Sequence, residues 1–387
     1  MVRKIINKIK NKFKNFSIIK KIIFNKNSIF NRNESDLNQI NAFFEKINIY
    51  NLTEQDIKPF KFVKNPKISI VIPIYNSQNM IFQIVKNIQF QSLKDIEIIF
   101  IDDCSSDNTN QIILKLQKKD QRIILLKNKK NKGPFYSRNK GAIFSRGEYI
   151  QFVDSDDMLI NNILAKAYLI AKNKNIDIIQ YKILIKHKKF SIFDETTSYN
   201  IIRQPELSDQ MYYGKGKLGQ DNYYIFNKLI NKKTFLDSLI YMGNDLLKID
   251  LYMNEDLIQL FSILRVANSL LFINHIGYLK LNRMRPSLFS NRNNPKFANR
   301  IFHDNIIEIR FLFNKSKNNK NDKSIILDFI RMSQRCYGKI AKHITISFNF
   351  FEDTLNLLLN SSYYNEEQKN EIQKYKNKLM INQNYKQ

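Results

Sequence analysis

The sequence predicts an α/β protein with a mainly parallel sheet, helices on both faces, and a helical C-terminal region. Three observations predict this. Short β-branched apolar runs alternate with stretches of helical periodicity between Ile68 and Val153. Most of these runs are apolar at every position rather than every second one, as in strands covered on both sides. From about Asn291 to the end the periodicity is mostly helical.

The elements follow in order. "ISIVIPIY", Ile68 to Tyr75, is too short for a helix and reads as the first strand. Ser77 to Gln91 has helical spacing. "IEIIFIDD" is the second strand and ends in Asp102 and Asp103. A helix from about Asn108 to Lys119 leads to a third strand, Arg122 to Leu126. A lysine-rich turn and a helix around Pro134 to Ser145 precede "EYIQFVDSDD", the fourth strand. Lys166 to Arg285 is mixed in texture. "FANRIFHDNIIEIRFLF", "SIILDFIRMSQRCYGKIAKHI" and "NEEQKNEIQKYKNKL" are then helical, parted by polar joints such as "NKSKNNKNDK". The expected organisation is a basic extension over 1–65, a domain over 66–290 in two halves (66–160 and 161–290), and a helical region over 291–387. There is no internal repeat.

Composition narrows the class. With 43% hydrophobic residues in 387, the chain is long enough for a full core and is globular rather than disordered. The net charge is +28, from 63 basic and 35 acidic residues. Lys, Asn and Ile are overused throughout, so the excess fits a coding bias as well as a function. The basic residues are dispersed rather than gathered in one block, and nucleic acid is not an expected partner. The only cysteines, Cys104 and Cys336, form no Cys-x-x-Cys motif, and the four histidines (His187, His275, His303, His343) lie at no metal-ligand spacing. A reducing, cytoplasmic location is the expectation. No apolar stretch approaches a transmembrane length, and lysines interrupt the N-terminal "MVRKIINKIKNKFKNFSIIKKIIF" too often for a signal peptide. Ile5, Ile9, Phe13, Phe16 and Ile23 share helical spacing with lysines between them. Such a basic amphipathic helix suits peripheral contact with an anionic membrane, packing on the domain, or solvent.

The chemistry is signalled by "GEYIQFVDSDDMLI", Gly147 to Ile160. Asp154, Asp156 and Asp157 fall within four residues, directly after an apolar run. Carboxylates so close to a core need a metal ion, a basic ligand or a nearby Arg, unless they form a surface turn. In open α/β sheets, ligands bind at the carboxyl ends of the strands. Three predicted strand ends carry unusual residues there: Pro73, Tyr75 and Asn76; Asp102 and Asp103; and the three aspartates. That convergence favours a site over a surface turn. Carboxylates at i and i+2 suit a hard cation, Mn²⁺ or Mg²⁺, whose other ligands come from water and phosphate. A nucleoside diphosphate is the implied ligand, with Asp154 facing the nucleotide sugar and Asp156 the firmest metal ligand.

Three segments, "SIVIPIYN", "EIIFIDDCSSDNT" and "NKGPFYSRNKGAIFSRGEYIQFVDSDD", together resemble the nucleotide-binding half of family 2 glycosyltransferases, which have the GT-A fold. The matched motifs stand in the right order across about ninety residues. The resemblance implies transfer of a sugar from a nucleotide-diphospho-sugar, UDP being the commonest nucleotide in the family, usually with inversion. It implies that Pro73, Tyr75 and Asn76 line the base and ribose pocket. It implies that Asp103, with Asp102 able to share the role, hydrogen-bonds the nucleobase. Arg138 resembles the basic residue near the nucleotide, and Asp154 and Asp156 match the metal motif. Ser105 and Asp107 read better as helix caps than as ligands. Gly133 and Gly141 read as turn and packing positions.

The second half resembles the family more loosely. "NEDL", Asn254 to Leu257, matches the motif supplying the base that takes the acceptor's proton; Asp256 is the candidate and Glu255 the second choice. Acids at that point also suit a helix N-terminus, and cap and base are compatible. Lys228, in "FNKLINKKTF", either borders the site or packs. "YLKLNRMRPSL" falls where relatives place a basic loop, and Arg283 or Arg285 would offset leaving-group charge there. "GKGKLG", Gly214 to Gly219, matches G-x-G-x-x-G but lacks a preceding strand. A mobile loop on the acceptor side is the better reading. The absence of Trp, of a Gln-x-x-Arg-Trp motif and of membrane spans argues against a processive synthase. The expected acceptor is a glycan or a lipid-linked sugar. The rival readings are a nucleotidyltransferase, which usually has a glycine-rich phosphate loop missing from "IPIYNSQN", and a degenerate glycan-binding module without turnover.

Overall fold

The computed structural model describes residues 53–185, 201–204, 224–247, 249–252, 255–281, 295–315, 326, 348–362 and 364–384. Strands β1 (Ile68–Ile74), β2 (Ile96–Asp102), β3 (Ile123–Lys127) and β4 (Tyr149–Phe152) are parallel and lie in the order β3-β2-β1-β4. They alternate with helices α1 (Ile81–Gln89), α2 (Thr109–Lys119) and α3 (Gly133–Phe144). The first helix starts later than its periodicity suggests. Ser77 to Met80 close a turn instead, the Met80 N–H donating to the Ser77 carbonyl at 2.8 Å.

The central strands are buried on both faces, as their continuous apolar runs require. Ile68, Ile70, Ile72 and Ile74 of β1 pack with Ile84, Val85 and Ile88 of α1 on one face. Val71 of β1 and Ile99 and Ile101 of β2 pack with Phe135 and Ala142 of α3 on the other. Each of the Ile, Val and Phe side chains contributes about 1.5–3 kcal/mol relative to exposure. Gly141 lets α3 lie close on that face. A Cβ there would stand 2.5 Å from Val71 Cγ1 and 2.6 Å from Ile101 Cδ1.

The mixed segment extends the same sheet. A short strand β5 (Met158–Leu159) follows the aspartates and leads to α4 (Ile163–Lys174). Strands β6 (Ile178–Ile185), β7 (Ile201–Arg203), β8 (Lys228–Asn231) and β9 (Ser269–Lys280) come next in the chain. The full order is β3-β2-β1-β4-β8-β6-β9-β5, with β7 also paired to β9. β8 runs antiparallel to β4 and β6, β6 and β9 are parallel, and β5 is antiparallel to β9. The parallel character expected from the sequence therefore resides in β1–β4 and in the β6–β9 pair. Helices α5 (Lys232–Met242), α6 (Asn244–Leu247) and α7 (Glu255–Val266) lie between β8 and β9 in the chain.

The C-terminal region is helical: α8 (Pro295–Lys315), α9 (Phe348–Leu359) and α10 (Glu366–Asn384). It joins the core of the sheet domain. Ile306, Ile309, Leu312, Leu355 and Ile372 belong to the same cluster as Leu260 and Ile263 of α7, and the Phe261 and Phe311 rings meet edge to face at 6.1 Å. No helix among the described residues is long and apolar enough to cross a membrane. Residues 1–52, Gly214–Gly219, Asn254, Arg283, Arg285 and Cys336 lie outside the described residues.

Candidate active site

β1 and β2 end level with each other, Ile74 opposite Asp102. Asn76 follows β1 with φ 46°, a left-handed conformation that Asn tolerates. Its N–H donates to Ser105 Oγ, and its carboxamide oxygen accepts from the Ser106 N–H, both at 2.9 Å. The two turns are thereby clamped together. Asp102 accepts from the Ser105 N–H at 3.2 Å, from Ser105 Oγ, and from Asn110 Nδ2 at 2.7 Å. Asp103 accepts from Asn128 Nδ2 and from the N–H groups of Lys132 and Gly133, each at 2.8 Å. It thus satisfies amides left free at the start of α3. Gly133 has φ +82°, and a Cβ there would lie 2.7 Å from the Leu251 carbonyl oxygen.

Asp102 and Asp103 are both buried, and through these donors each organises the turns at the ends of β1 and β2. Tyr75 and Asn76 are exposed, and Pro73 is half-buried. Pro73 lies past the last β1–β4 pair, Val71 with Phe152, so its missing N–H costs that ladder nothing. Asp107 accepts from the Thr109 N–H at 3.0 Å at the start of α2, as a capping residue would. Ser105 bonds back to Asp102 and does not cap.

The strand-end aspartates and the Glu-Asp pair meet at Arg138 of α3. Its Nη2 donates to Asp154 Oδ1 at 3.0 Å, and its Nη1 donates to Glu255 Oε1 at 2.9 Å and Asp256 Oδ1 at 2.8 Å. The Arg138 side chain is 7% exposed, whereas the Asp154 and Asp256 side chains are 27% and 20% exposed. The arginine therefore lies beneath and the acids open outward. Arg138 thereby joins the two carboxylate motifs.

One cation does not balance three acids. Burial raises the Glu255 carboxyl, as does the Asp256 charge; Arg138 opposes, and the result is pushed up to about 7. Asp256 is raised too, by burial and by Asp154, against the pull of Arg138, Lys280 and Lys228. For Asp154, burial works against ionisation, but Arg138 and Lys280 prevail and hold it low.

The aspartate turn joins two parts of the sheet. β4 enters it alongside β1, and β5 leaves it alongside β9, Met158 facing Leu279. Tyr278 of β9 ties the turn, its hydroxyl donating to Asp157 Oδ2 at 3.0 Å and accepting from the Asp154 N–H at 3.1 Å. Asp157 also accepts from the Leu281 N–H at 2.9 Å. Burial and the charges of Asp154 and Asp156 push the Asp157 carboxyl up to about 8. Asp157 is thus a buried tie to β9, and Asp156 is half-exposed beside it.

This surplus of negative charge is what a hard divalent cation would relieve, and carboxylate oxygens are suitable donors for it. Among the described residues no three His, Cys, Asp or Glu side chains gather as a group that could hold a metal ion.

Comparison with known proteins decides the class. The description "Glycosyl transferase family 2" matches residues 69–236, which hold β1 to β4, the aspartate turn and Arg138. Residues 69–236 form a family 2 glycosyltransferase domain. A GalNAc(5)-diNAcBac-PP-undecaprenol beta-1,3-glucosyltransferase of Campylobacter jejuni is 31% identical over 182 residues, covering 46% of this chain and 57% of that protein. A cholesterol galactosyltransferase of Borreliella burgdorferi is 28% identical over 226 residues, 56% of this chain and 61% of that one. The chain thus spans somewhat over half the length of these relatives. Among solved structures, Staphylococcus aureus TarS 1-349 in complex with UDP-GlcNAc superposes with a TM-score of 0.54 at 18% identity, over 76% of this chain and 80% of that one. That likeness is one of fold, and the architecture is of the GT-A type.

Within the glycosyltransferase domain the sequence motifs single out Asp154, Asp156 and Arg138, and beyond residue 236 Glu255 and Asp256. The structure brings Asp154, Arg138, Glu255 and Asp256 together and sets Asp156 on the same turn as Asp154. Lys228 is buried, its Nζ donating to the Tyr224 carbonyl at 2.5 Å and to Asn227 Oδ1 at 2.9 Å, so it packs as a structural cation near Asp256. Sequence reasoning missed Tyr278, Asp157 as a tie, and Lys280. The one signal for Lys280 was a lysine closing an otherwise apolar run, "HIGYLK", beside the arginines that drew attention instead.

Proposed function

We propose that this chain is a metal-dependent, inverting glycosyltransferase that moves a sugar from a nucleotide-diphospho-sugar to the hydroxyl of a glycan or lipid-linked acceptor. The observation that carries the reading is the meeting of Asp154, Glu255 and Asp256 on Arg138 at the carboxyl edge of the parallel strands. Donor and acceptor chemistry need carboxylates at one place, and the fold supplies them from two distant segments.

In this reading the nucleotide lies over the turns after β1 and β2, with Tyr75 and Asn76 at its base and ribose. Asp156 and Asp154 would hold Mn²⁺ or Mg²⁺, which when bound neutralises charge on the leaving diphosphate. Asp256 takes the proton of the acceptor hydroxyl as that oxygen attacks the anomeric carbon. The bond from that carbon to the diphosphate breaks with its electron pair leaving on the diphosphate, and a single displacement inverts the centre. Arg138 keeps Asp154 ionised and holds Asp256 in position, and Glu255 shares the guanidinium. UDP is the proposed nucleotide, a choice supported by the UDP-GlcNAc bound in a fold neighbour. A lipid-linked acceptor is supported by the undecaprenol and cholesterol named for two relatives. The basic segment Met1 to Phe24 is proposed to hold the enzyme on an anionic membrane.

The test is calorimetric titration of a panel of nucleotide-diphospho-sugars, with and without Mn²⁺, against wild type, Asp156→Asn and Asp256→Asn. Wild type is expected to bind one donor with metal. Asp156→Asn should lose that binding, and Asp256→Asn should keep it while losing transfer. A folded wild type that binds no donor would sink the reading and leave a glycan-binding module without turnover.

A further inference from the structure

The last residue of β9 is Lys280, and nothing in the chemistry above uses it. Its side chain is half-buried, its ammonium standing 4.4 Å from the centre of the Phe226 ring and 5.1 Å from that of Tyr224. Phe226 stacks on Tyr278 at 4.4 Å and on Tyr224 at 4.7 Å, so the lysine stem rests on a column of three rings. The column fixes the ammonium beside the aspartate turn, because β9 pairs with β5 directly after that turn.

An ammonium has three N–H donors and seeks three acceptors. Among the described residues Lys280 makes only ring contacts; it has no hydrogen bond and no ion pair within 4.0 Å. The nearby acids are held by other groups, Asp154 and Asp256 by Arg138, and Asp157 by Tyr278 and Leu281. Burial alone would lower the Lys280 pKa, but Asp154, Asp157 and Asp256 hold it raised, so the group is a cation. An ammonium held in place on rings, beside acids that other groups already hold, keeps its donors for a ligand. Phosphate oxygens are the chemistry that does so, with strong charge-assisted hydrogen bonds.

We propose that the Lys280 ammonium binds the diphosphate of the nucleotide-sugar donor and steadies it as it leaves. The assignment rests on the donor-site reading above. An acceptor phosphate would offer the same oxygens, but Lys280 borders the aspartate turn, the donor side of the cluster.

The experiment titrates the full chain, in Mn²⁺, with UDP, GDP, ADP, CDP and dTDP, and then with the nucleoside matching whichever diphosphate binds. Wild type, Lys280→Met and Lys280→Arg are compared. Met keeps an unbranched stem on the rings and removes the charge. Lys280→Met should weaken the diphosphate by about tenfold to a hundredfold, the range of a charge-assisted hydrogen bond, and leave the nucleoside unchanged. Lys280→Arg should recover most of the loss. Unchanged diphosphate affinity in Lys280→Met, or nucleoside affinity falling in step with it, overturns the assignment. A second readout covers the case in which Lys280→Met does not fold. Acetic anhydride labelling of wild type, followed by mass spectrometry, should show Lys280 shielded by the diphosphate and not by the nucleoside. Equal labelling with both overturns the proposal. Wild type that binds no diphosphate overturns the donor site itself, and this assignment with it.

Discussion

At the scale of single residues, Arg138 faces more negative charge than one guanidinium carries. The imbalance falls on Glu255, whose carboxyl rises from an ordinary 4.5 to about 7. A raised native pKa means that the folded protein holds a proton which the unfolded chain has released. The Glu255 contribution to stability is therefore full below about pH 4.5 and is lost as pH rises through about 7. Glu255→Gln keeps an oxygen for Arg138 Nη1 and removes the titration. Urea unfolding between about pH 5 and about pH 8 should show a smaller loss of stability with rising pH in the variant than in wild type. Equal slopes would assign the titration elsewhere. The motifs alone gave the identities of Asp154, Arg138 and Asp256 but not their contact. Arg138 is separated from Asp256 by 118 positions in the chain, and only the packed sheet and helices bring them within 2.8 Å.

At the scale of elements, α3 packs closely on β1 and β2 beside the site. Gly141→Ala would place a methyl group within 2.6 Å of both Val71 and Ile101 side chains. Overpacking of this kind costs about 1–3 kcal/mol, and here it would also push α3, and with it Arg138, off the sheet. Denaturant unfolding should show the loss of stability, and activity should fall with it. A variant as stable as wild type would mean that the core yields at no cost. The elements most legible in the sequence were β1 to β4, because strands buried on both faces read as unbroken apolar runs. β6, β8 and β9 were not separated from their surroundings. β8 is four residues long and contains a buried lysine, and β9 carries a polar stretch, Asn274 and His275, beside a register shift against β6. Asp102 and Asp103 were legible as unusual, but their bonds to Asn110, Asn128 and the start of α3 depend on loops folding over them.

At the scale of the molecule, the C-terminal helices and the sheet domain share a core, while the basic N-terminal segment is proposed to face a membrane. Deleting residues 1–52 should leave far-UV circular dichroism of the remainder folded and remove binding to phosphatidylglycerol vesicles at low salt. Vesicle binding that survives the deletion would move the contact to the dispersed lysines of the domain. The salt bridge set at Arg138 also bears on how this protein could be re-engineered. One partner comes from the half proposed to grip the nucleotide, and two come from the half proposed to receive the acceptor. Halves exchanged between relatives would be joined at this rivet as well as along the backbone. A chimera would inherit a new acceptor range only where the incoming Glu-Asp pair lands on the resident arginine.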